Sequence, residues 1–319
     1  MAGVTRLRVA TGRSGPSAPT LPPLASLLKS REVEDPVNLW LHRPLAYWFV
    51  SLIYRGSVTP NQVTALAMFV GVAAASCWFV GTPATMVTGG VLLWLSAILD
   101  GADGMLARTK GLSSPAGRAL DGLADMVVGF TTSAAAIWHM TSQSSLPSSL
   151  MAITGIVAVA CTVLHMNLYD LYKELFLRHT RPGGGEGHDV QSIQSTLEAP
   201  EQRIAPWHVR LAMNFYEDYL AKQERLTART NPWARTLLGL SRQGNAEHAA
   251  SYRAHNRGPM RLWIAISLAP HSYLFAIAGM LDMLLPYLLL RLTLMNGLAI
   301  VALLLQRRAS RATLTAYQL

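Results

Sequence analysis

Four aspartates between residues 100 and 125 are the side chains best suited to chemistry in this 319-residue chain. Asp100 and Asp103 are three residues apart, and Asp121 and Asp125 are four apart, so on helices each pair shares one face. Carboxylates beside apolar stretches are costly unless something compensates them, and the usual compensator for four together is a divalent cation. The spacing therefore predicts an all-oxygen site for Mg²⁺ or Mn²⁺.

Two glycines and an arginine beside the aspartates indicate room and charge for a phosphate-bearing substrate. Gly104 and Gly117 remove side chains where a substrate backbone or a nucleotide could come close. Arg108 follows Gly104 within about one helical turn and can neutralise a phosphate. Because a pair of divalent ions is a recurring means of stabilising an in-line phosphoryl displacement, these residues together favour phosphoryl transfer.

The segments that carry these residues are apolar enough to be membrane helices. Charged residues make up 14% of the chain, against about a quarter in an average soluble domain. A membrane-crossing helix needs about 20 mostly apolar residues. Six segments meet this requirement: 61–81, 84–106, 118–141, 148–174, 260–282 and 284–306. The sequence predicts an all-α integral membrane protein with six transmembrane helices, in which the second and third run antiparallel and their aspartate pairs face each other.

The distribution of basic residues predicts the orientation of these spans. Lys and Arg concentrate in residues 107–118, in 175–259 and after residue 306, whereas the other breaks lack them. By the positive-inside rule both termini and the aspartates are expected on the cytoplasmic side, in the inner (plasma) membrane of a bacterium. The net charge of +9 flanks apolar spans, which favours anionic lipid headgroups over nucleic acid as the partner.

Three segments outside the spans have their own character. Residues 36–56 are rich in Trp, Tyr and Leu but broken by charge and proline, which predicts an amphipathic helix lying in the membrane interface. Residues 1–35 are Pro-, Ser- and Arg-rich and are expected to form a disordered cytoplasmic tail ahead of one membrane domain over 36–319. The long cytoplasmic loop 175–259 opens on a Gly-rich linker and contains a helix-compatible stretch around residues 206–225.

The aspartate segment resembles the signature of the CDP-alcohol phosphotransferase (CDP-alcohol phosphatidyltransferase) family. The matching pattern is Asp100-x-x-Asp103-Gly104-x-x-Ala107-Arg108, eight further residues, then Gly117-x-x-x-Asp121-x-x-x-Asp125. The six predicted spans, the interfacial N-terminal helix and the TPNQVT stretch at residues 59–64 extend the resemblance. Residues 1–30 and the loop 175–259 are not obviously covered by it.

The resemblance implies a role for each matching residue. Asp100, Asp103 and Asp121 would hold two divalent ions, and Asp125 would be both a ligand and the base that deprotonates an acceptor hydroxyl. The CDP moiety would contact Gly104, Arg108, Ser114 and Gly117, with Asn61 and Thr64 as weaker candidates. The implied partners are a CDP-linked donor, an alcohol acceptor, membrane lipids and a second copy of the chain in a homodimer.

Residues farther along the chain leave the acceptor site open. His165 is either a hydrogen-bonded histidine of the bundle or an acceptor-site residue, and Asp170 either caps its helix or contacts the acceptor. Arg257 and Arg261 are either topology charges or part of a phosphate pocket. SSP before Gly117 and the few basic residues inside the fourth and fifth spans favour an acceptor without phosphate, whereas the two arginines favour one with phosphate.

The implied reaction is displacement of CMP from a CDP-linked donor by an acceptor hydroxyl, in phospholipid biosynthesis. Either CDP-diacylglycerol transfers its phosphatidyl group to a polar alcohol, or a CDP-choline- or CDP-ethanolamine-type donor is attacked by a lipid alcohol. A cation transporter with a carboxylate-lined site is the alternative from another class, but transporter sites usually lie near the membrane midplane. A purely structural scaffold would leave the buried acids without a role.

Overall fold

The computed structural model describes residues 21–28, 30–181, 190–200, 204–240 and 246–318, and its regular elements there are all helical. In chain order the helices are α1 Leu24–Leu27, α2 Arg43–Ile53, α3 Pro60–Val80, α4 Pro83–Lys110, α5 Pro115–Gln143, α6 Ser148–Thr180, α7 Val190–Glu198, α8 Trp207–Thr230, α9 Pro232–Gly239, α10 Ala246–Ala265, α11 Leu268–Met280, α12 Leu284–Leu290 and α13 Asn296–Ala316. Single π-helical turns precede α2 and join α12 to α13.

Six helical stretches in the described part of the chain are long and apolar enough to cross a membrane. Four of them are single helices, α3 to α6. The fifth combines α10 and α11, and the sixth combines α12 and α13. The predicted six-span, all-α membrane architecture is confirmed.

Local sequence signals set the bounds of the first three spans, the second and third of which carry the aspartates. Thr59 caps α3, Thr82 caps α4 and Ser114 caps α5, and in each case proline follows as the first helical residue. Helix α4 ends at Gly111, whose φ of 64° lies in the left-handed region that a residue with a Cβ rarely adopts. Because only residues 111–114 separate α4 from α5, the last turns of α4 lie beside the first turns of α5.

At the other end of the bundle, three helices pack around one buried tryptophan. Trp78 of α3 is fully buried, and its indole N–H donates a hydrogen bond to the Met86 carbonyl oxygen at 3.1 Å. It packs so closely on α4 and α11 that a Cβ on Gly89 would lie 2.5 Å from the ring, and a Cβ on Gly279 2.1 Å from it. Glycine at these two positions lets the helices approach and fixes the frame for the aspartates.

The predicted tail over residues 1–35 is only partly described, and its described part is packed on the bundle. Residues 1–20 lie outside the described residues. Val33 is fully buried, and its carbonyl accepts a hydrogen bond from the Tyr169 hydroxyl at 2.7 Å. Glu34 pairs with Arg43 at 2.7 Å. These contacts place the described end of the predicted tail against the bundle, where Leu27 is also buried.

Helix α2, together with the π-helical turn before it, occupies the segment predicted to lie in the membrane interface. Two tryptophans on its surface are strongly exposed, Trp40 at 84% and Trp48 at 62%. Such exposed rings suit a membrane–water boundary, and the interfacial placement of the helix stays a prediction.

The region 175–259 is largely helical where it is described. Its two ends belong to the helices of the neighbouring spans, so the connection between those helices is shorter than predicted. Its Gly-rich linker, residues 182–189, lies outside the described residues. Helix α8 covers the helix-compatible stretch near 206–225, and the helical stretch that contains the fifth candidate span begins at Ala246, before the predicted residue 260. The polar residues that α10 adds before residue 260 include Asn256, which is buried: it donates a hydrogen bond to Thr313 at 2.9 Å and accepts one from Gln306 at 2.7 Å.

Candidate active site at the aspartate cluster

Three aspartates meet where α4 ends and α5 begins. Asp100, Asp103 and Asp121 each offer a carboxylate oxygen, and the three oxygens lie within 4.8 Å of one another. Asp103 is buried and the other two are half-buried. The aspartates of α4 and α5 therefore face each other, as their spacing in the sequence predicted.

Asp125 borders this trio without belonging to it. Asp125 lies one helical turn beyond Asp121, and its carboxyl group is in hydrogen-bonding contact with Asp100. Carboxylates this close repel one another strongly unless protons or cations lie between them.

The donor set fits divalent metal ions. Asp121 Oδ1 is buried and makes no hydrogen bond to any described residue, so one of its lone pairs is available for coordination. The three clustered carboxylates offer only oxygen, which Mg²⁺ and Mn²⁺ prefer.

Thr64 connects the first span to this cluster. Its hydroxyl donates a hydrogen bond to a carboxylate oxygen of Asp103, across two neighbouring helices. The Pro60 carbonyl oxygen lies 3.2 Å from the same hydroxyl. The structure thus places Thr64, which the resemblance made a weak CDP-binding candidate, against a metal-ligand candidate.

The remaining CDP-binding candidates gather beside the aspartates in two groups. A Cβ on Gly117 would lie 3.2 Å from the Ser114 hydroxyl and 3.8 Å from Asn61 Oδ1, so these three residues converge. The Ser114 hydroxyl accepts the Gly117 N–H at 3.0 Å. On α4 a Cβ on Gly104 would lie 3.6 Å from the Arg108 guanidinium.

Among the acceptor-site candidates, Asp170 lies next to the cluster. Its charge is close enough to repel that of Asp125, and its side chain is 40% exposed. One carboxylate oxygen accepts from the Lys173 ammonium at 2.7 Å, and the other accepts from the Tyr219 hydroxyl at 2.9 Å. Asp170 is therefore partly exposed and held from two sides.

The other acceptor-site candidates are placed elsewhere. His165 is buried in the bundle, where its ring nitrogens lie 2.9 Å from Asn296 Oδ1 and 3.5 Å from His271 Nε2. These partners support the interpretation of a hydrogen-bonded bundle histidine. Arg257 and Arg261 are exposed on α10.

Helix α8 contributes residues that the sequence did not single out. The Arg118 guanidinium, one turn before Asp121, hydrogen-bonds the Tyr216 hydroxyl, and Gln223 donates to the Asn167 carbonyl oxygen at 3.0 Å. The only signal in the sequence was the helical potential of the stretch, because its partners lie many residues away along the chain.

The fold and this site define an integral membrane protein with acidic residues gathered at one end of its helical bundle. Residues 57–179, which run from just before α3 almost to the end of α6, match the family model of CDP-alcohol phosphatidyltransferase. This match confirms, over that segment, the resemblance carried by the aspartate motif.

Two curated relatives are similar over part of their length. The bifunctional IPC transferase and DIPP synthase of Thermococcus kodakarensis is 30% identical over 145 residues, which cover 42% of this chain and 31% of the relative. The bifunctional IPC transferase and DIPP synthase of Aquifex aeolicus is 34% identical over 103 residues, covering 32% of this chain and 23% of the relative. The chain thus spans about a third or less of the curated relatives it matches.

Proposed function

We propose that this protein is a membrane transferase in which an acceptor hydroxyl displaces CMP from a CDP-linked donor. The observation that carries the proposal is the meeting of Asp100, Asp103 and Asp121 within 4.8 Å, on the family-matching segment. The cluster lies at the end of the spans, whereas transporter sites usually lie near the midplane, which disfavours cation transport.

The residues divide the work of the reaction. Asp100, Asp103, Asp121 and Asp125 would hold two Mg²⁺ or Mn²⁺ ions. When bound, these ions would offset the carboxylate charges and the negative charge of the diphosphate. Arg108 would add a positive charge beside the same diphosphate.

Asp125 acts as the base for the acceptor. Its carboxylate takes the proton of the acceptor hydroxyl as the oxygen forms a bond to the phosphorus distal to cytidine. The bond from that phosphorus to the bridging oxygen breaks, and CMP leaves with the electron pair. Gly104 and Gly117 leave room for the nucleotide, and Asn61 and Ser114 supply polar groups beside Gly117.

Of the two donor arrangements, the neighbourhood of Asp125 supports CDP-diacylglycerol with a polar alcohol, a step of phospholipid biosynthesis. Asp170 is 40% exposed and Lys173 24% exposed, and both are charged, which suits a water-soluble acceptor better than a lipid alcohol. The basic residues Arg108, Lys110 and Arg118 near the cluster support a cytoplasmic-facing site, and the bacterial inner membrane stays an expectation. The homodimer stays an expectation from the family resemblance.

The test is CMP release by purified protein supplied with Mn²⁺. One arm offers CDP-diacylglycerol with a panel of polar alcohols, including glycerol phosphate and inositol phosphate. The other offers CDP-choline or CDP-ethanolamine with diacylglycerol. We expect CMP only in the first arm. CMP only in the second arm would reverse the donor assignment, and no CMP in either would refute the enzyme.

A further inference from the structure

Helix α8 lies outside the six spans, yet it is tied to both helices that flank the acceptor side of the aspartate cluster. Its apolar face packs on the first turns of α5, where Met213 and Ala212 are buried with Ala119. Beyond that face, the Tyr216 hydroxyl accepts a hydrogen bond from Arg118 of α5. These contacts fix one side of α8 to the helix that carries Asp121 and Asp125.

The next turns of α8 reach α6. The Tyr219 hydroxyl donates to Asp170 at 2.9 Å, and Gln223 donates to the Asn167 carbonyl oxygen at 3.0 Å. Helix α8 therefore bridges α5 and α6 at the end of the bundle where Asp125 and Asp170 approach each other. An acceptor hydroxyl on Asp125 would have Asp170 as a charged neighbour, and α8 contacts Asp170 directly.

The state of the Tyr219 phenol suits a lasting hydrogen bond. Burial, reinforced by the Asp170 charge, raises the pKa of Tyr219 well above its usual range, so the hydroxyl stays protonated and donates. Lys173 holds the other oxygen of Asp170 at 2.7 Å. With one donor on each oxygen, the carboxylate has a single orientation and still exposes 40% of the side-chain surface.

We propose that α8 forms the acceptor-side wall of the site and that Tyr219 is a positioning residue, which aims the Asp170 carboxylate at the acceptor. The inference rests on the proposed function. The acceptor class it selects is a polar alcohol with a hydrogen-bonding group besides the reacting hydroxyl, because a fixed carboxylate accepts hydrogen bonds from hydroxyl groups. A lipid alcohol with one free hydroxyl would not use this contact.

The test is a split between the KM values of the two substrates in Tyr219→Phe, which keeps the ring and removes the donor. We expect the KM for the polar acceptor to rise about tenfold, as for a lost hydrogen bond to a charged group, while the KM for CDP-diacylglycerol and kcat stay within about twofold. Asp170→Asn, a second variant with the same shape, should show the same selective rise.

Two controls separate this effect from general damage. Tyr47→Phe removes a tyrosine hydroxyl that bonds the Pro22 carbonyl oxygen at 3.1 Å on another part of the chain. Lys222→Met breaks an exposed ion pair with Asp218 on α8 itself. Neither should change either KM.

The outcomes separate the positioning role of Tyr219 from the transferase activity. A Tyr219→Phe protein with an unchanged acceptor KM, or with both KM values raised alike, overturns the positioning role and leaves the transferase intact. A wild-type protein that releases no CMP from any donor overturns the transferase, and the positioning role fails with it.

Discussion

The Thr64 hydroxyl of α3 donates a hydrogen bond to the Asp103 carboxylate of α4, and this contact joins the first span to the proposed metal site. Asp103 is the most buried member of the trio, at 5% exposure. A buried carboxylate that must point at a cation needs a partner on its other oxygen, and Thr64 is that partner. The first span therefore helps to shape the site although it contributes no carboxylate.

Replacing Thr64 by valine should weaken metal activation while the fold persists. Valine keeps the branched shape but leaves the Asp103 oxygen without its donor. Because partners of this kind typically contribute about 10- to 100-fold in metal affinity, we expect the Mn²⁺ concentration for half-maximal CMP release to rise by that factor. Thr64→Ser, which retains the hydroxyl, should stay near wild type. Equal metal requirements in the two variants would show that the hydrogen bond does not orient Asp103.

Adding a methyl group at Gly117 should selectively impair donor binding. Its Cβ would lie 3.2 Å from the Ser114 hydroxyl, where the proposal places the nucleotide. We expect Gly117→Ala to raise the KM for the CDP-linked donor about tenfold, equivalent to about 1.4 kcal/mol.

Gly122→Ala is the matched control for this substitution. It lies on the same helix, and a Cβ there meets nothing within 4 Å. Both alanines should favour the helix slightly, so stability does not explain a difference between them. Donor KM values that change alike in both variants would argue against a nucleotide contact at Gly117.

The packing of Trp78 predicts where the bundle is least tolerant of added volume. Gly279→Ala would place a Cβ 2.1 Å from the buried indole, so the helices must separate, at a cost of about 1–3 kcal/mol. We expect a lower thermal unfolding midpoint in detergent. Gly297→Ala, whose Cβ meets nothing within 4 Å, should not lower it. A Gly279→Ala protein as stable as wild type would contradict the close contact between Gly279 and the Trp78 ring.

Local patterns in the sequence were sufficient for the number of spans and for the aspartate trio. A run of about 20 apolar residues has few alternatives to a membrane helix, and spacings of three and four place carboxylates on one helical face. The short turn that ends at Ser114 then brings the two pairs together. These features depend on residues close in the chain.

Contacts between distant residues could not be predicted in the same way. Thr64 was a CDP-binding candidate because of its neighbours in the sequence, and nothing local selects Asp103 as its partner. Tyr219 and Asp170 are 49 residues apart, with a polar segment between them. The helical stretch of the fifth candidate span begins before the predicted residue 260, in a polar segment where Asn256 is buried, and a search for apolar runs overlooks such a segment.

Asp121→Asn tests whether the aspartate cluster holds the metal ions for CMP displacement. The amide keeps the size of the side chain but removes its charge and one acceptor oxygen. We expect this variant, compared with wild type prepared in parallel, to insert into the membrane and elute normally, to bind Mn²⁺ more weakly and to release no CMP. Turnover and Mn²⁺ binding at the wild-type level in a folded Asp121→Asn protein would contradict it.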